Sequence, residues 1–373
     1  MSRLRILALS MDASVDFEAR PGAKNAGIFA ALAERYDIVG SVHPELPRAE
    51  DLVHKLLHVH PDRAWWRHRY NKSPLTFRRR TALAERQLKS WEGRYDLIFQ
   101  LHTMVSPGDL RSGRRFVLHT DNTYALTERH YAPWAPLRGR ARERWLAMER
   151  DVYQAAAFLF PRSEWLRRSF IDDYGCDPAR VIRVGGGANL ALNERAGRRY
   201  DQQVALFVGL QFERKGGNIL LKAWERVRRK LPNARLQLVG EAPRGPVPPG
   251  VEVHGRIDDR TKLATMYGEA SVFVMPSLFE PWGHVYYEAF AAGLPAIGTR
   301  CCAMPEIIDD GVTGLLVPPA DDNALAEALI ALLSDPARCA TMGTLARDRV
   351  RTGHTWADVV DRMAPSIEQA ETR

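Results

Sequence analysis

Only four cysteines occur in the 373 residues, Cys176, Cys301, Cys302 and Cys339, with one adjacent pair and no C-x-x-C spacing. Neither a zinc site nor a disulfide framework is supported by that pattern, so reduced structural thiols are expected. No stretch approaches the about 18 consecutive apolar residues that a membrane-spanning helix needs. The opening MSRLRILALSM has too short an apolar run for a signal peptide and reads as a first buried strand, which makes a cytoplasmic location the expectation. A fitting G-x-G-x-x-G, a Walker loop, a G-x-S-x-G elbow and an H-E-x-x-H pair are all missing. Dinucleotide oxidation, P-loop hydrolysis, triad chemistry and zinc proteolysis therefore lose their usual sequence support.

Acid is in deficit: 45 Asp and Glu face 53 Lys and Arg, for a net charge of +8. The excess is uneven. From Lys55 to Arg94 there are eleven Lys or Arg against three acids, interleaved with Trp65, Trp66, Tyr70 and Trp91. Such a stretch suits an anionic membrane surface, a phosphorylated acceptor or nucleic acid, or it is a solvated basic face.

With 45% hydrophobic and 26% charged residues, the composition is that of a packed globular protein, and at roughly 150 residues per domain the length suggests two domains. Short apolar runs alternate with helix-period stretches, the pattern of parallel sheets covered on both faces. Strands are expected at 5–9, 37–42, 97–101, 115–119, 158–160 and 181–184, with helices at 25–35, 76–91 and 140–155. The polar run NERAGRRYDQQ from Asn193 to Gln203 interrupts the alternation. It marks a boundary between a domain of residues 1–196 and a second of residues 197–354. Strands of the second are expected at 204–208, 236–239, 251–253, 272–275, 296–298 and 315–317, and its helices at 219–229, 262–270, 285–292, 323–333 and 338–351. Ligands of such doubly wound sheets bind at the carboxyl ends of the strands.

The most informative stretch is PSLFEPWGHVYYEAFAAGLPAIGT, Pro276 to Thr299. A buried strand ends at Met275, Pro276, Pro281 and Gly283 force a loop, and the spacing of Val285, Ala289 and Ala292 makes a helix that Gly293 ends. Backbone N–H groups at Gly283, His284 and Val285 open that helix, where the dipole and the unpaired donors favour a diphosphate. Glu280 and Glu288 flank the turn, and carboxylates suit pairs of sugar hydroxyls. Upstream, LFVGLQFERKGGNILLKAW is a strand, a glycine turn and a helix. Arg214 and Lys215 at its turn are cations able to neutralise phosphates.

The pattern P-S-x-x-E-P-x-G-x-x-x-x-E-A-x-A-A-G-x-P, with E-x7-E inside it, resembles the signature of family-four glycosyltransferases. The resemblance implies the GT-B fold, an α/β architecture of two facing Rossmann-like doubly wound domains with mostly parallel sheets and an interdomain cleft. The donor would lie mainly on the second domain, and a C-terminal helix at about 355–373, with Trp356 as an anchor, would pack back on the first. It also implies retention at the anomeric carbon with no metal and no cofactor. By resemblance Glu280 contacts the sugar, Glu288 the ribose and Lys215 the phosphates. Where the family usually carries Arg after the strand glycine this chain has Leu210, and Arg214 is the candidate replacement. Glu241 in LVGEAP and Glu306 in MPEIIDDGVTG resemble further residues near the donor.

In the first domain, Gly22 in RPGAKNAGIF resembles the family's glycine-rich donor loop, and His119 in RFVLHTDNTY resembles a histidine at the sugar site. Asp121 is an alternative polar contact there, and Asn189 in VGGGANLAL lines the expected hinge. The expected partners are a UDP- or GDP-sugar donor, with glucose or mannose as the hexose, and an unnamed acceptor that is a glycan, a lipid-linked or a small molecule. Peripheral contact with an anionic membrane through 55–94 is possible, and no nucleic acid is expected. The rivals are a nucleotide-sugar epimerase or phosphorylase on the same fold and a non-catalytic nucleotide-sugar-binding protein. The first two are not expected to carry E-x7-E beside F-E-P-W-G, and the last would tolerate loss of either glutamate or of Lys215.

Overall fold

A computed structural model of the chain describes residues 3–11, 25–189 and 198–372. It divides into two compact units, Met1–Gly185 with Trp356–Arg373, and Gly186–Thr355. The boundary expected at 196/197 falls within 190–197, outside the described residues, and the second unit begins at Gly186.

The first unit contains β1 (Arg5–Ser10), α1 (Ala26–Arg35), β2 (Asp37–Val42), α2 (Arg48–Leu56), α3 (Arg63–Asn71), α4 (Pro74–Lys89), β3 (Leu97–Leu101), β4 (Phe116–Thr120), α5 (Tyr124–His130), α6 (Gly139–Ala155), β5 (Phe158–Pro161) and α7 (Glu164–Asp172). The second contains β6 (Val204–Gly209), α8 (Gly217–Lys230), β7 (Arg235–Gly240), β8 (Val251–Gly255), α9 (Arg260–Glu269), β9 (Val272–Val274), α10 (His284–Ala291), β10 (Ala296–Thr299), α11 (Met304–Ile307), β11 (Gly314–Val317), α12 (Asp322–Leu333) and α13 (Pro336–Arg351). The last helix, α14 (Trp356–Thr372), returns to the first unit.

Each unit has one all-parallel sheet, in the order β2-β1-β3-β4-β5 and β11-β10-β9-β6-β7-β8. The inner strands β3, β4, β6 and β9, and β5 at the edge of its sheet, are buried at every position, as sheets with helices on both faces require. In the first unit Ile28, Phe29 and Leu32 of α1 and Val359, Val360 and Met363 of α14 cover one face of the sheet. Phe77 of α4, Trp145 of α6 and Phe170 of α7 cover the other. Strand order reverses between β1 and β3 in one unit and between β6 and β9 in the other. In doubly wound sheets, ligands bind at the carboxyl ends of the strands at such a switch point.

Residues 181–184, expected as a strand, make only a bridge from Val181 to Leu159. Gly185, at φ 77°, turns the chain away directly afterwards. Helices α2, α3, α5 and α7 were not anticipated. The basic stretch holds the end of α2 and the whole of α3 and α4, with Asp62 capping α3 and Ser73 before Pro74 starting α4, both favoured helix starts. Helix α2 buries none of its residues, so its periodicity points at no core.

Close packing of α14 on α1 is possible only because residue 27 is glycine. A Cβ there would lie 2.2 Å from Trp356 Cδ1. Gly27→Ala is therefore expected to destabilise the chain: overpacking costs about 1–3 kcal/mol and outweighs the about 1 kcal/mol of helix propensity that alanine gains. A lower urea midpoint checks this, and a raised midpoint would contradict it.

Candidate active site

Strands β6 and β9 end side by side, and the loops that leave them carry the charged residues. The β6–α8 loop starts at Gly209, passes through Gln211 at φ 64° and ends at Gly216. A Cβ on Gly216 would lie 1.9 Å from Pro276 O, so only glycine lets this loop pass against the one that follows β9. A Cβ on Gly209 would meet Lys215 Cδ at 2.3 Å, and its absence leaves room for the lysine stem. The two loops are tied by Leu278 N–H donating to Arg214 O at 2.9 Å.

Their charges meet at Glu280, which is 6% exposed. Its Oε2 accepts from Arg214 Nη1 at 3.2 Å and lies 3.1 Å from Lys215 Nζ. Arg214 also donates to Phe279 O and, at 2.6 Å, to Gln211 Oε1. Arg214 thus braces the loop that presents Glu280, whereas Leu210, where the family's arginine is expected, is a 54% exposed apolar side chain. The Lys215 ammonium also contacts Met275 Sδ at 3.1 Å.

Glu288, 5% exposed, lies one turn into α10 and accepts from Tyr267 OH at 3.1 Å. Burial pushes its carboxyl above the ordinary range, while Arg260, the Tyr267 hydroxyl and Lys215 pull the other way. Lys215 therefore acts on both glutamates. Gly283 is the N-cap of α10, and Tyr286 pins the first turn of that helix by donating to Met275 O at 2.6 Å. His284 is buried, with Nδ1 3.3 Å from Gly187 O, and Val285 packs half-buried on the core of the unit. Trp282 stacks on Tyr287 with centroids 5.6 Å apart and anchors the loop that holds Glu280.

The remaining expected residues have more varied settings. The Glu241 carboxylate accepts from Phe212 N–H at 2.9 Å and so steadies the β6–α8 loop. Glu306 lies half-buried in α11, and its carbonyl accepts from Arg349 at 2.8 Å. The carbonyl of Asn189 accepts from Arg260 at 3.1 Å. Gly22 lies outside the described residues. Cys301 and Cys302, expected to be reduced structural thiols, lie near Glu280: Cys301 Sγ is 3.4 Å from Ser277 O, and the Glu280 backbone N–H reaches both sulfurs.

His119 requires a correction. Fully buried at the end of β4, its Nδ1 lies 2.8 Å from Phe160 O and its Nε2 accepts from Arg162 Nε at 3.1 Å. Burial, with Arg162 beside it, drives the imidazole well below its ordinary pKa, so the ring is neutral, with Nδ1–H the donor. Neither nitrogen is left for a sugar hydroxyl. Its work is to position Arg162, which is itself fully buried, donates to Asn25 Oδ1 at 2.8 Å and lies 3.9 Å from Asp121. Arg162 was missed by sequence reasoning, although an arginine directly after the buried strand FLFP was a visible signal. Tyr267 was also missed, and at a separation of 21 positions from Glu288 it left no local one.

Residues 202–335 match the family model described as Glycosyl transferases group 1. A D-inositol 3-phosphate glycosyltransferase of Kribbella flavida is 32% identical over 235 residues, covering 56% of this chain and 55% of that protein. The chain thus spans about half the length of the curated relatives it matches. Among solved structures, a sucrose-phosphate synthase from Thermosynechococcus elongatus superposes with a TM-score of 0.72 at 20% identity, covering 98% of this chain and 99% of that one. Anabaena HepE in complex with UDP gives 0.69 at 16% identity, covering 98% and 100%. These likenesses define the fold class: two parallel-sheet α/β units of GT-B type. Within it, the match of residues 202–335 to the group 1 glycosyltransferase model takes in the Pro276–Thr299 stretch that resembles the family-four signature.

The charge on Glu288 has a stability cost. A carboxyl raised on folding contributes stability that is fully present below its unfolded value and lost as pH rises through the folded one. Glu288→Gln is therefore expected to be more stable than the parent at about pH 7, with the gap closing toward about pH 4. Urea midpoints across that range check it, and a glutamine variant less stable at neutral pH would contradict it.

Proposed function

We propose that the chain is a retaining, metal-independent glycosyltransferase that moves a hexose, glucose or mannose, from a UDP- or GDP-sugar to an acceptor hydroxyl. The observation that carries this reading is the cluster of buried Glu280 and Arg214 with half-buried Lys215 at the β6/β9 switch point, beside the first turn of α10. Lys215 and the backbone N–H groups at Gly283, His284 and Val285 receive the diphosphate, where helix dipole and ammonium both favour negative charge. Glu280 holds hydroxyls of the hexose, and Glu288 holds those of the ribose. Arg214 keeps Glu280 in place.

As the acceptor oxygen bonds to the anomeric carbon, the bond to the diphosphate breaks and its electron pair leaves with the phosphate oxygen. The hydroxyl proton passes to that same oxygen, so no side-chain base is required. Stabilising the departing charge and aligning the reactants supply the acceleration. Neither a metal nor a cofactor takes part. Retention and metal independence are supported by the family resemblance of the motif.

A thermal-shift panel of UDP-glucose, GDP-mannose, UDP-galactose and UDP-N-acetylglucosamine tests the donor. One is expected to raise the melting temperature by mass action, and no shift with any of them would sink the assignment. With that donor, Lys215→Ala and Glu280→Gln are each expected to slow nucleoside diphosphate release by about 10²–10³-fold. Release at the parent rate from both variants would exclude the cluster from catalysis.

The reading includes a cytoplasmic protein held peripherally at the inner face of an anionic membrane. Its support is α2, where Leu52, Val53 and Leu56, with Leu57 and Val59 just beyond, are all exposed near Lys55, Arg63 and Arg67. Apolar side chains flanked by cations suit an acidic bilayer surface. The chain is expected to sediment with vesicles containing phosphatidylglycerol more than with phosphatidylcholine alone, and Leu56→Asp to reduce the difference. Equal sedimentation with both would remove the electrostatic contact.

A further inference from the structure

The chain's one pair of adjacent cysteines, Cys301 and Cys302, stands in the loop after β10. Cys176 and Cys339 are buried, whereas this pair is half-buried and in reach of solvent. A thiol that serves only as packing belongs in a core, as the other two do. Cys302 also holds the left-handed region at φ 50°, a strained conformation for a residue with a side chain that recurs in switch segments.

The surroundings of the two sulfurs give them different parts. Cys301 Sγ lies 3.2 Å from Thr299 Oγ1 and 3.4 Å from Ser277 O, and it accepts from the Cys302 thiol and the Glu280 backbone N–H. The bond from Cys302, with smaller help from Thr299 and Glu280, holds the Cys301 thiol below its ordinary range against the effect of burial. Cys302, which gives its hydrogen to Cys301, is pushed up by that bond and by burial. The thiolate is the reactive form, so Cys301 is the attacking sulfur and Cys302 its partner. Both sulfurs are tied to the loop that presents Glu280. Ser277 O, which Cys301 faces, also accepts from Thr299 Oγ1 at 2.6 Å, and Leu278 N–H donates to Arg214 O. The Glu280 N–H reaches both sulfurs. The thiol pair therefore joins the loop after β10 to the one that brings Glu280 against Lys215.

We propose that Cys301 and Cys302 form a thiol modification site, oxidised by a peroxide to a disulfide between neighbouring residues, and that this oxidation draws Glu280 out of place in the donor site. The Cys301 thiolate attacks one peroxide oxygen: the S–O bond forms, the O–O bond breaks, and the departing hydroxide leaves as water with the proton of the Cys301 thiol. The Cys302 sulfur then displaces the hydroxyl of the resulting sulfenic acid, and its own hydrogen leaves with that hydroxyl as a second water. Two thiols are oxidised and one peroxide is reduced. Adjacent Cα atoms are about 3.8 Å apart, closer than the about 4.4 Å at which ordinary disulfides begin. The loop has to change shape to close the bond, at the expense of the contacts both sulfurs make with Ser277 and Glu280. Loss of turnover rests on the transferase reading above, whereas formation of the bond does not.

The test exposes the reduced full chain to hydrogen peroxide, alkylates it and digests it with trypsin, which leaves both cysteines on one peptide of residues 301–338. That peptide is expected to lose two hydrogens in mass and to take up no alkylating agent, and dithiothreitol to restore both thiols. Release of nucleoside diphosphate from the preferred donor is expected to fall about ten- to hundredfold, the cost of a small misplacement at a reacting centre, and to return with dithiothreitol. C301S is expected to show the same rate with and without peroxide, and C302S to carry a sulfenic acid that dimedone traps at Cys301. If neither variant folds, phenylarsine oxide, which bridges two neighbouring thiols with release of water, is expected to inhibit the parent until a dithiol removes it. Two alkylated cysteines after peroxide, equal inhibition of C301S, no dimedone adduct in C302S, no inhibition by phenylarsine oxide, or a disulfide that leaves turnover unchanged would overturn the proposal. A bond that forms and reverses in a parent releasing no nucleoside diphosphate from any donor would remove the transferase reading and leave the modification site standing.

Discussion

The half-buried Lys215 meets the buried Glu280 at 3.1 Å, and much of the second unit is arranged so that they can meet. Two ions taken out of water lose hydration that their mutual attraction repays only with good geometry, and apolar replacements of such pairs are often as stable or more so. The pair is therefore poor evidence of stabilisation and better evidence of use. Its supports are specific to it: Gly216 passes Pro276 at a distance no side chain allows, Gly209 leaves space for the lysine stem, and Arg214 spends its donors on Phe279 O, Gln211 and Glu280. Tyr286 and Trp282 fix the helix start and the loop on either side. The strained turn at Gln211 and the left-handed Cys302 lie in the loops after β6 and β10, where the backbone is bent to serve the site.

The same topology appears twice. Each unit reverses its strand order once beside its first strand, and each gathers charged groups at the carboxyl edge there. In the second unit the cations meet carboxylates, the combination for a ligand with both phosphates and hydroxyls. In the first, Arg80 lies in a cavity with cations in excess, and deeper at the ends of β4 and β5 Arg162 is held by His119 and Asn25. Fold alone would leave the chemistry open, because Rossmann-like layers host many reactions. The side chains at the two edges narrow it.

How much of this was legible depended on the distance in sequence over which each feature is built. The strand–loop–helix from Val272 to Ala291 is local, so its glycines, prolines and apolar spacing announce both the turn and the two glutamates. Central strands were equally plain, being short runs buried on both faces. What stayed hidden is made by residues that meet only on folding: Tyr267 on Glu288, and Arg162 between His119 and Asn25. His119 was misjudged for that reason, since nothing near it in the sequence reveals that Phe160 O and Arg162 occupy its ring. Helix α2 escaped because its apolar residues face outward, and a pattern with no core behind it gives periodicity no meaning. Arg80 was legible in principle, as a charge on an apolar stripe, but the ten other basic residues of the 55–94 stretch masked the exception.

The central claim is that the Lys215–Glu280 pair and the start of α10 form the place where a nucleoside diphosphate is held. A crystal structure of the chain grown with UDP tests it most directly. The diphosphate is expected against the Lys215 ammonium and the backbone at Gly283 and His284, with the ribose hydroxyls on Glu288. A diphosphate bound elsewhere, with Glu280 and Lys215 still joined to each other and touching no ligand, would contradict it.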